Sequence, residues 1–199
     1  MSGKKNKFLL TSLQESLRVQ QLMMDADGFQ ETLQQVCQAC VGVYRNDKKI
    51  LVAGNGGSAG DAQHFAGELV SRFYFDRPPL SAIALTTDTS ILTAIGNDYG
   101  YRDVFSRQVL AHGRSGDLLL VISTSGNSEN ILQAIQVAKQ AGITVVGLTG
   151  QTGGAMKAHC DLCICVPSPS TPRVQECHLI IEHTICEYVE QALFGELKA

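Results

Sequence analysis

The sequence predicts an α/β protein: a three-layer, doubly wound sheet of five parallel strands in the order 2-1-3-4-5, preceded by extra N-terminal helices. Three observations predict it. Five short, continuous runs rich in Val, Ile and Leu alternate with longer segments of helical spacing, the pattern of parallel strands covered on both faces by right-handed crossovers. Two of these runs end in unusual loops, Gly54-Asn55-Gly56-Gly57-Ser58 and Ser123-Thr124-Ser125-Gly126-Asn127-Ser128, each followed by a helical segment. In the 2-1-3-4-5 order the chain reverses direction between strands one and three, and those are the strands that carry the loops.

Taken in order, residues 6–26 place Leu9, Leu13 and Leu17 four apart with Met24 beyond them, which predicts an amphipathic helix. A second spans 28–44, with Phe29, Leu33, Val36, Cys37, Cys40, Val41 and Val43, before Arg45-Asn46-Asp47 stops it. A sheet already covered by crossovers has little surface left for these stripes, so a partner subunit is as good a home for them as the chain itself. Strands are expected at 49–54, 81–86, 117–124, 143–149 and 161–166, with Pro78-Pro79 leading into the second and Gly113 to Gly116 into the third. Helical spacing returns over 171–193. Residues 1–199 are read as a single domain, of which 1–46 form the N-terminal helices.

Composition excludes several classes. A net charge of −3 gives no basic stripe for nucleic acid or an anionic membrane. No apolar run reaches the ~18 residues of a membrane helix. Seven cysteines without an obvious framework, and no charged-then-apolar leader, lead us to expect a reducing, cytoplasmic compartment. Cys37, Cys40, Cys163 and Cys165 fall within helix or strand patterns and read as small buried apolar residues. A redox Cys-x-x-Cys or a C-x-x-C-x-C metal site is the alternative.

The chemistry gathers at the two loops. Gly54, Gly56 and Gly57 permit close backbone approach and positive φ, while Ser58 or Asn55 can cap the helix that follows. On that helix His64 and Glu68 are four residues apart and share a face, which reads either as a metal or acid/base pair or as a solvated pair. The serine loop offers hydroxyls, an amide and helix N-terminal N–H groups, which suits a phosphate; its plainer reading is a turn that caps its helix. On the last helix Gln175 and His183 lie about 80° apart at 100° per residue. Were the two helices to meet, His64, Glu68, Gln175 and His183 would surround one small cation, zinc first. His183 alone is equally a helix or interface histidine. Gly54 to Ala59 satisfies G-x-G-x-x-A, but the residues ~20 further on lie at a helix end rather than closing a strand with an acid, so dinucleotide binding is set aside.

Six segments carry a wider signature: Ala53-Gly-Asn-Gly-Gly-Ser, Asp61-Ala-Gln-His-Phe-Ala-Gly-Glu-Leu, Ala84-Leu-Thr-Thr-Asp-Thr-Ser, Asn97-Asp-Tyr-Gly-Tyr, Ile122-Ser-Thr-Ser-Gly-Asn-Ser and Arg173-Val-Gln-Glu-Cys-His. Together they resemble the phosphoheptose (sedoheptulose-7-phosphate) isomerases of the sugar-isomerase, or SIS, domain family, over nearly the whole chain. The resemblance implies a cytoplasmic homotetramer with active sites between subunits. It implies an aldose-ketose isomerase that converts sedoheptulose 7-phosphate to D-glycero-D-manno-heptose 7-phosphate, for lipopolysaccharide and other bacterial surface polysaccharides. Carried over by residue, it implies that Ser123, Thr124, Ser125 and Ser128 hold the phosphate, that Asn55, Gly56, Gly57, Asn97 and Asp98 line the sugar, and that Ser58 and Arg72 assist. Zinc would be held by His64, Glu68, Gln175 and His183, with Gln175 also at the substrate, and Glu68 and His183 would be the acid/base pair.

That chemistry suits these groups, because one carboxylate can take a proton from one carbon of an enediol and return it to its neighbour. A zinc-bound Glu68 is a weaker base, so it either leaves the metal or works with reduced basicity. Two rivals stand beside this reading. One is a non-catalytic SIS protein, similar to the bacterial factor that associates with the replication initiator, which lacks the acid/base pair. The other is an isomerase of another sugar phosphate.

Overall fold

A computed structural model describes residues 7–195. The expected helix start at Asn6 and the outermost parts of the expected domain, 1–6 and 196–199, lie outside the described residues. The chain runs α1 (Lys7–Met24), α2 (Phe29–Arg45), β1 (Ile50–Gly54), α3 (Gly57–Val70), β2 (Ala82–Ala84), α4 (Thr89–Asp98), α5 (Ser106–His112), β3 (Leu118–Ser123), α6 (Glu129–Gln140), β4 (Thr144–Thr149), β5 (Leu162–Cys165) and α7 (Thr171–Phe194). Its five strands form one parallel sheet in the order β2-β1-β3-β4-β5. The order assumed from the fold class, with the placement of the loops in its support, is the order found.

Strand alternation sends successive side chains to opposite faces, and here both faces are covered, which is why the runs are apolar throughout. Ile50, Val52, Leu118, Leu120, Ile122, Val146, Leu148 and Ile164 pack with α2, α3 and α7. Leu51, Ala53, Leu119, Val121 and Val145 pack on the other side with α5 and α6. The edge strand β2 keeps only three of its six predicted residues. Beyond it the chain turns so that Asp88 can cap α4, its carboxylate accepting from Ile91 N at 2.9 Å.

In the register, Gly54 stands beside Ile122, so β1 ends one residue short of β3 and the two release their loops side by side. The reversal point is thus a crevice bounded by the N-termini of α3 and α6. From the far face, α7 lies across both α2 and α3, contributing Val174, Cys177, Ile181, Ile185, Cys186 and Val189 to the core.

A buried ion pair fixes the other end of this packing. Arg77 Nε donates to Glu190 Oε1 at 3.1 Å, and the Phe73 and Tyr74 backbone N–H groups donate to the same carboxylate at 2.8 and 2.7 Å. Burial alone would raise the carboxyl of Glu190, but these bonds outweigh it and hold it below the ordinary range. The guanidinium also bonds the carbonyls of Leu69 and Glu68, tying the end of α3 to α7.

The stripe on α1 is not covered by its own chain. Leu9, Leu13, Leu17 and Met24 are 58%, 64%, 66% and 58% exposed, whereas Val19 and Met23 of the same helix are buried. Arg173 of α7 anchors that helix through the Ser12 carbonyl, at 3.0 Å, and the Ser16 hydroxyl.

Replacing Arg77 with Ala strands a buried carboxylate and is expected to cost about 3–5 kcal/mol, a fall in Tm on the order of 10 °C by scanning calorimetry. The contribution of Glu190 is complete above the ordinary carboxylate pKa and is lost as pH falls through its lowered folded value, so the gap between wild type and variant should close in acid.

Candidate active site

Burial of Ala62, Phe65, Ala66 and Leu69 against the sheet turns the opposite face of α3 outward, toward the edge of α7. That face carries His64 and Glu68, one turn apart. His64 Nε2 lies 2.8 Å from His183 Nε2 and 3.7 Å from Glu68 Oε1, so the two helices do meet where the sequence needed them to. The imidazole rings stand edge to face with centroids 5.0 Å apart, and the Phe73 ring backs His183 at 5.7 Å. All three polar groups remain partly open to solvent.

Gln175 stands at the other end of the same helix pair, its amide over Gly57. A Cβ at position 57 would collide with the amide nitrogen and reach its carbon at 3.1 Å, so only glycine lets this side chain sit there. Of the three glycines expected to use positive φ, only Gly56 does so, at 57°. The expected side-chain cap of α3 is also absent, because Ser58 is buried within the first turn and the Asn55 amide is bonded elsewhere.

In the serine loop, Ser123 Oγ accepts from Gly126 N at 3.2 Å and lies 3.3 Å from Ser128 Oγ, while Ser125 Oγ accepts from Asn127 N at 3.2 Å. These bonds curl the loop at the start of α6, so its hydroxyls gather beside the helix N-terminus. Thr124 is half-buried in the same turn. Asn97 and Asp98 sit in the exposed last turn of α4, bonded to each other at 2.8 Å, and Arg72 is exposed just past α3. Among the described residues no hydrogen bond or ion pair joins these three to the imidazoles.

Four neighbours escaped the sequence reading. Asn130 bonds Asn55 through both its amide atoms, and Tyr101, opening a short 3-10 turn, donates to Asn55 Oδ1 at 3.3 Å. Asp61 and Glu182 lie beneath the cluster. Both Glu182 oxygens and Asp61 Oδ2 are buried without a hydrogen-bond partner. Burial first, and the nearby charge of Asp61 second, push the carboxyl of Glu182 up to about 8. Burial likewise raises Asp61, opposed by His64. The available signal for Glu182 was its place between Ile181 and Ile185 on the buried stripe of α7, a poor position for a lone charge.

The sequence profile of the SIS domain matches residues 18–150. A phosphoheptose isomerase from Aneurinibacillus thermoaerophilus is 56% identical over 189 residues, 95% of this chain and 96% of the relative. The chain belongs to the phosphoheptose isomerases of the SIS-domain family. Among solved structures, a Neisseria gonorrhoeae phosphoheptose isomerase superposes with a TM-score of 0.87 at 43% identity, covering 93% of this chain and 98% of that one. Another, from Francisella tularensis, gives 0.90 at 38% identity, covering 95% and 100%. Membership makes this chain a sugar-phosphate isomerase, and no described helix is long and apolar enough to cross a membrane.

Because the folded chain holds a proton on Glu182 that the unfolded chain releases, native stability falls as pH climbs from about 4.5 toward about 8. In chelator-treated protein, Glu182→Gln should match wild type in Tm near pH 4.5 and exceed it by a widening margin toward pH 9. Parallel Tm curves would show that the carboxyl does not carry that proton.

Proposed function

We propose that this chain isomerises sedoheptulose 7-phosphate to D-glycero-D-manno-heptose 7-phosphate through a 1,2-enediol, in bacterial surface-polysaccharide synthesis. The observation that carries the reading is the convergence of Glu68 and His183, from two separate helices, beside a loop built for an anion. A binding protein of this fold has no use for that pair. The names of the relatives that match along nearly the whole chain support the same substrate.

In this reading the serine loop takes the phosphate on Ser123, Thr124, Ser125 and Ser128 with the N-terminus of α6, which sets the sugar along the crevice toward α3 and α7. Glu68 removes a proton from C1 while His183 gives one to the C2 oxygen, producing the neutral enediol. Glu68 then returns its proton to C2 and His183 recovers one from the C1 oxygen, so both groups end as they began. Asn55, Gly56, Gly57, Ser58, Gln175, Asn97, Asp98 and Arg72 bind or orient the hydroxyl chain.

The donor set of His64, Glu68, His183 and Gln175, two imidazoles with a carboxylate and an amide, fits zinc by chemistry. Among the described residues no three His, Cys, Asp or Glu side chains are already spaced for a metal. The imidazole nitrogens of His64 and His183 already lie 2.8 Å apart, and these two rings with Glu68 and Gln175 would hold the ion. When bound, the ion would stabilise developing negative charge on the sugar oxygens.

We place the working unit in a homotetramer with sites at subunit interfaces. Support comes from the exposed stripe of α1 and from Leu179, Ile180 and Tyr188 on the open side of α7, an apolar surface that a second copy would cover.

Purified protein should turn over sedoheptulose 7-phosphate, and Glu68→Gln or His183→Gln should each lower kcat by about 10²–10⁴-fold. Turnover surviving in both variants rejects the mechanism, and faster turnover of a different sugar phosphate reassigns the substrate. Metal analysis without chelator should find about one zinc per chain. Chelation should then abolish activity and zinc should restore it; full activity in metal-free protein would remove the ion from the reaction.

A further inference from the structure

Asn130 is the second residue of α6 and only 4% exposed. Its Oδ1 accepts from Asn55 Nδ2 at 2.9 Å, and its Nδ2 donates back to Asn55 Oδ1 at 2.9 Å. Tyr101 Oη adds a third bond, donated to the same Asn55 Oδ1 at 3.3 Å. The consequence for Asn55 follows by counting. Its carbonyl oxygen has two lone pairs, both now occupied, and one of its two amide hydrogens is used. What remains is a single N–H at the mouth of the glycine turn.

A paired amide holds orientation as well as position. Any rotation of the Asn55 amide breaks both bonds to Asn130 together, and among the described residues the buried Asn130 side chain bonds no other partner. The pair also bridges the two loops, since Asn55 follows β1 and Asn130 lies in the first turn after the serine loop.

We propose that Asn130 is a positioning residue: by clamping Asn55 it presents one N–H donor to an oxygen of the sugar, at a fixed distance from the serine loop. This rests on the isomerase reading of the site. Asn55 thereby selects for a hydrogen-bond acceptor, a carbonyl or hydroxyl oxygen, and Tyr101 completes the selection by filling the second lone pair.

The test combines kinetics with two binding probes, sedoheptulose 7-phosphate and inorganic phosphate. In Asn130→Ala we expect kcat/KM for the sugar phosphate to fall about ten- to a hundredfold, while inhibition by inorganic phosphate stays within about threefold. Because Asn130 acts through Asn55, the double variant Asn55→Ala/Asn130→Ala should be no worse than Asn55→Ala alone. Losses that multiply, an unchanged kcat/KM in Asn130→Ala, or a parallel loss of phosphate inhibition would each overturn the proposal. If Asn130→Ala does not fold, Asn130→Ser, which keeps a small buried hydroxyl but cannot form the pair, must show the same selective loss. A wild-type chain that binds the sugar phosphate without turning it over ends the isomerase reading, and calorimetric affinities of the two probes then decide the clamp by the same criterion. Wild-type protein that binds no sugar phosphate ends both.

Discussion

The site exists because α3 lies against α7. Each helix spends its apolar face on the common core, Phe65 and Leu69 on one side and Ile181 and Ile185 on the other, and what faces the crevice is whatever polar side chain falls a residue or two out of that stripe. His64 and Glu68 are placed this way on α3, and Gln175 and His183 on α7. None of them is oriented by a long loop. The distance between the histidines therefore depends on helix packing, which tolerates small displacements poorly.

Two buried glutamates on α7 show how differently that packing treats charge. Glu190 receives a guanidinium and two backbone N–H groups, so its ionised form is kept and fastens the segment after α3 to the last helix. Glu182, two turns earlier, has no hydrogen-bond partner among the described residues and lies near the Asp61 carboxyl, and its burial favours the protonated acid. The first arrangement stabilises the frame. The second lies directly under the imidazole pair, where unpaired acceptors persist only because the surrounding core holds both helices in place.

At the carboxyl ends of β1 and β3, adjacent strand ends set two helix N-termini side by side, and the Asn55–Asn130 pair ties them together. An anion at the serine loop and a sugar at the glycine turn would then be measured against one rigid frame. Meanwhile the apolar stripe of α1 is left outside this frame, on a helix that Arg173 anchors but that the described residues leave uncovered on that side.

By itself the sequence determined the strands and helices, the two loops and the four polar side chains of the two helices, because each is written in local spacing: continuous apolar runs for strands, four-residue intervals for helices, glycines and hydroxyls for the turns. The strand order was assumed, with the placement of the loops in its support, and the sheet bears it out. Local spacing does not record which polar group ends up opposite which. That His64 would touch His183, that Asn55 would bond Asn130 instead of capping α3, and that Glu182 would face Asp61 in the dark of the core were decided only by tertiary packing. Each of those contacts joins residues far apart in the chain, and their approach is set by the sum of core volumes between them, a quantity that no short stretch of residues contains.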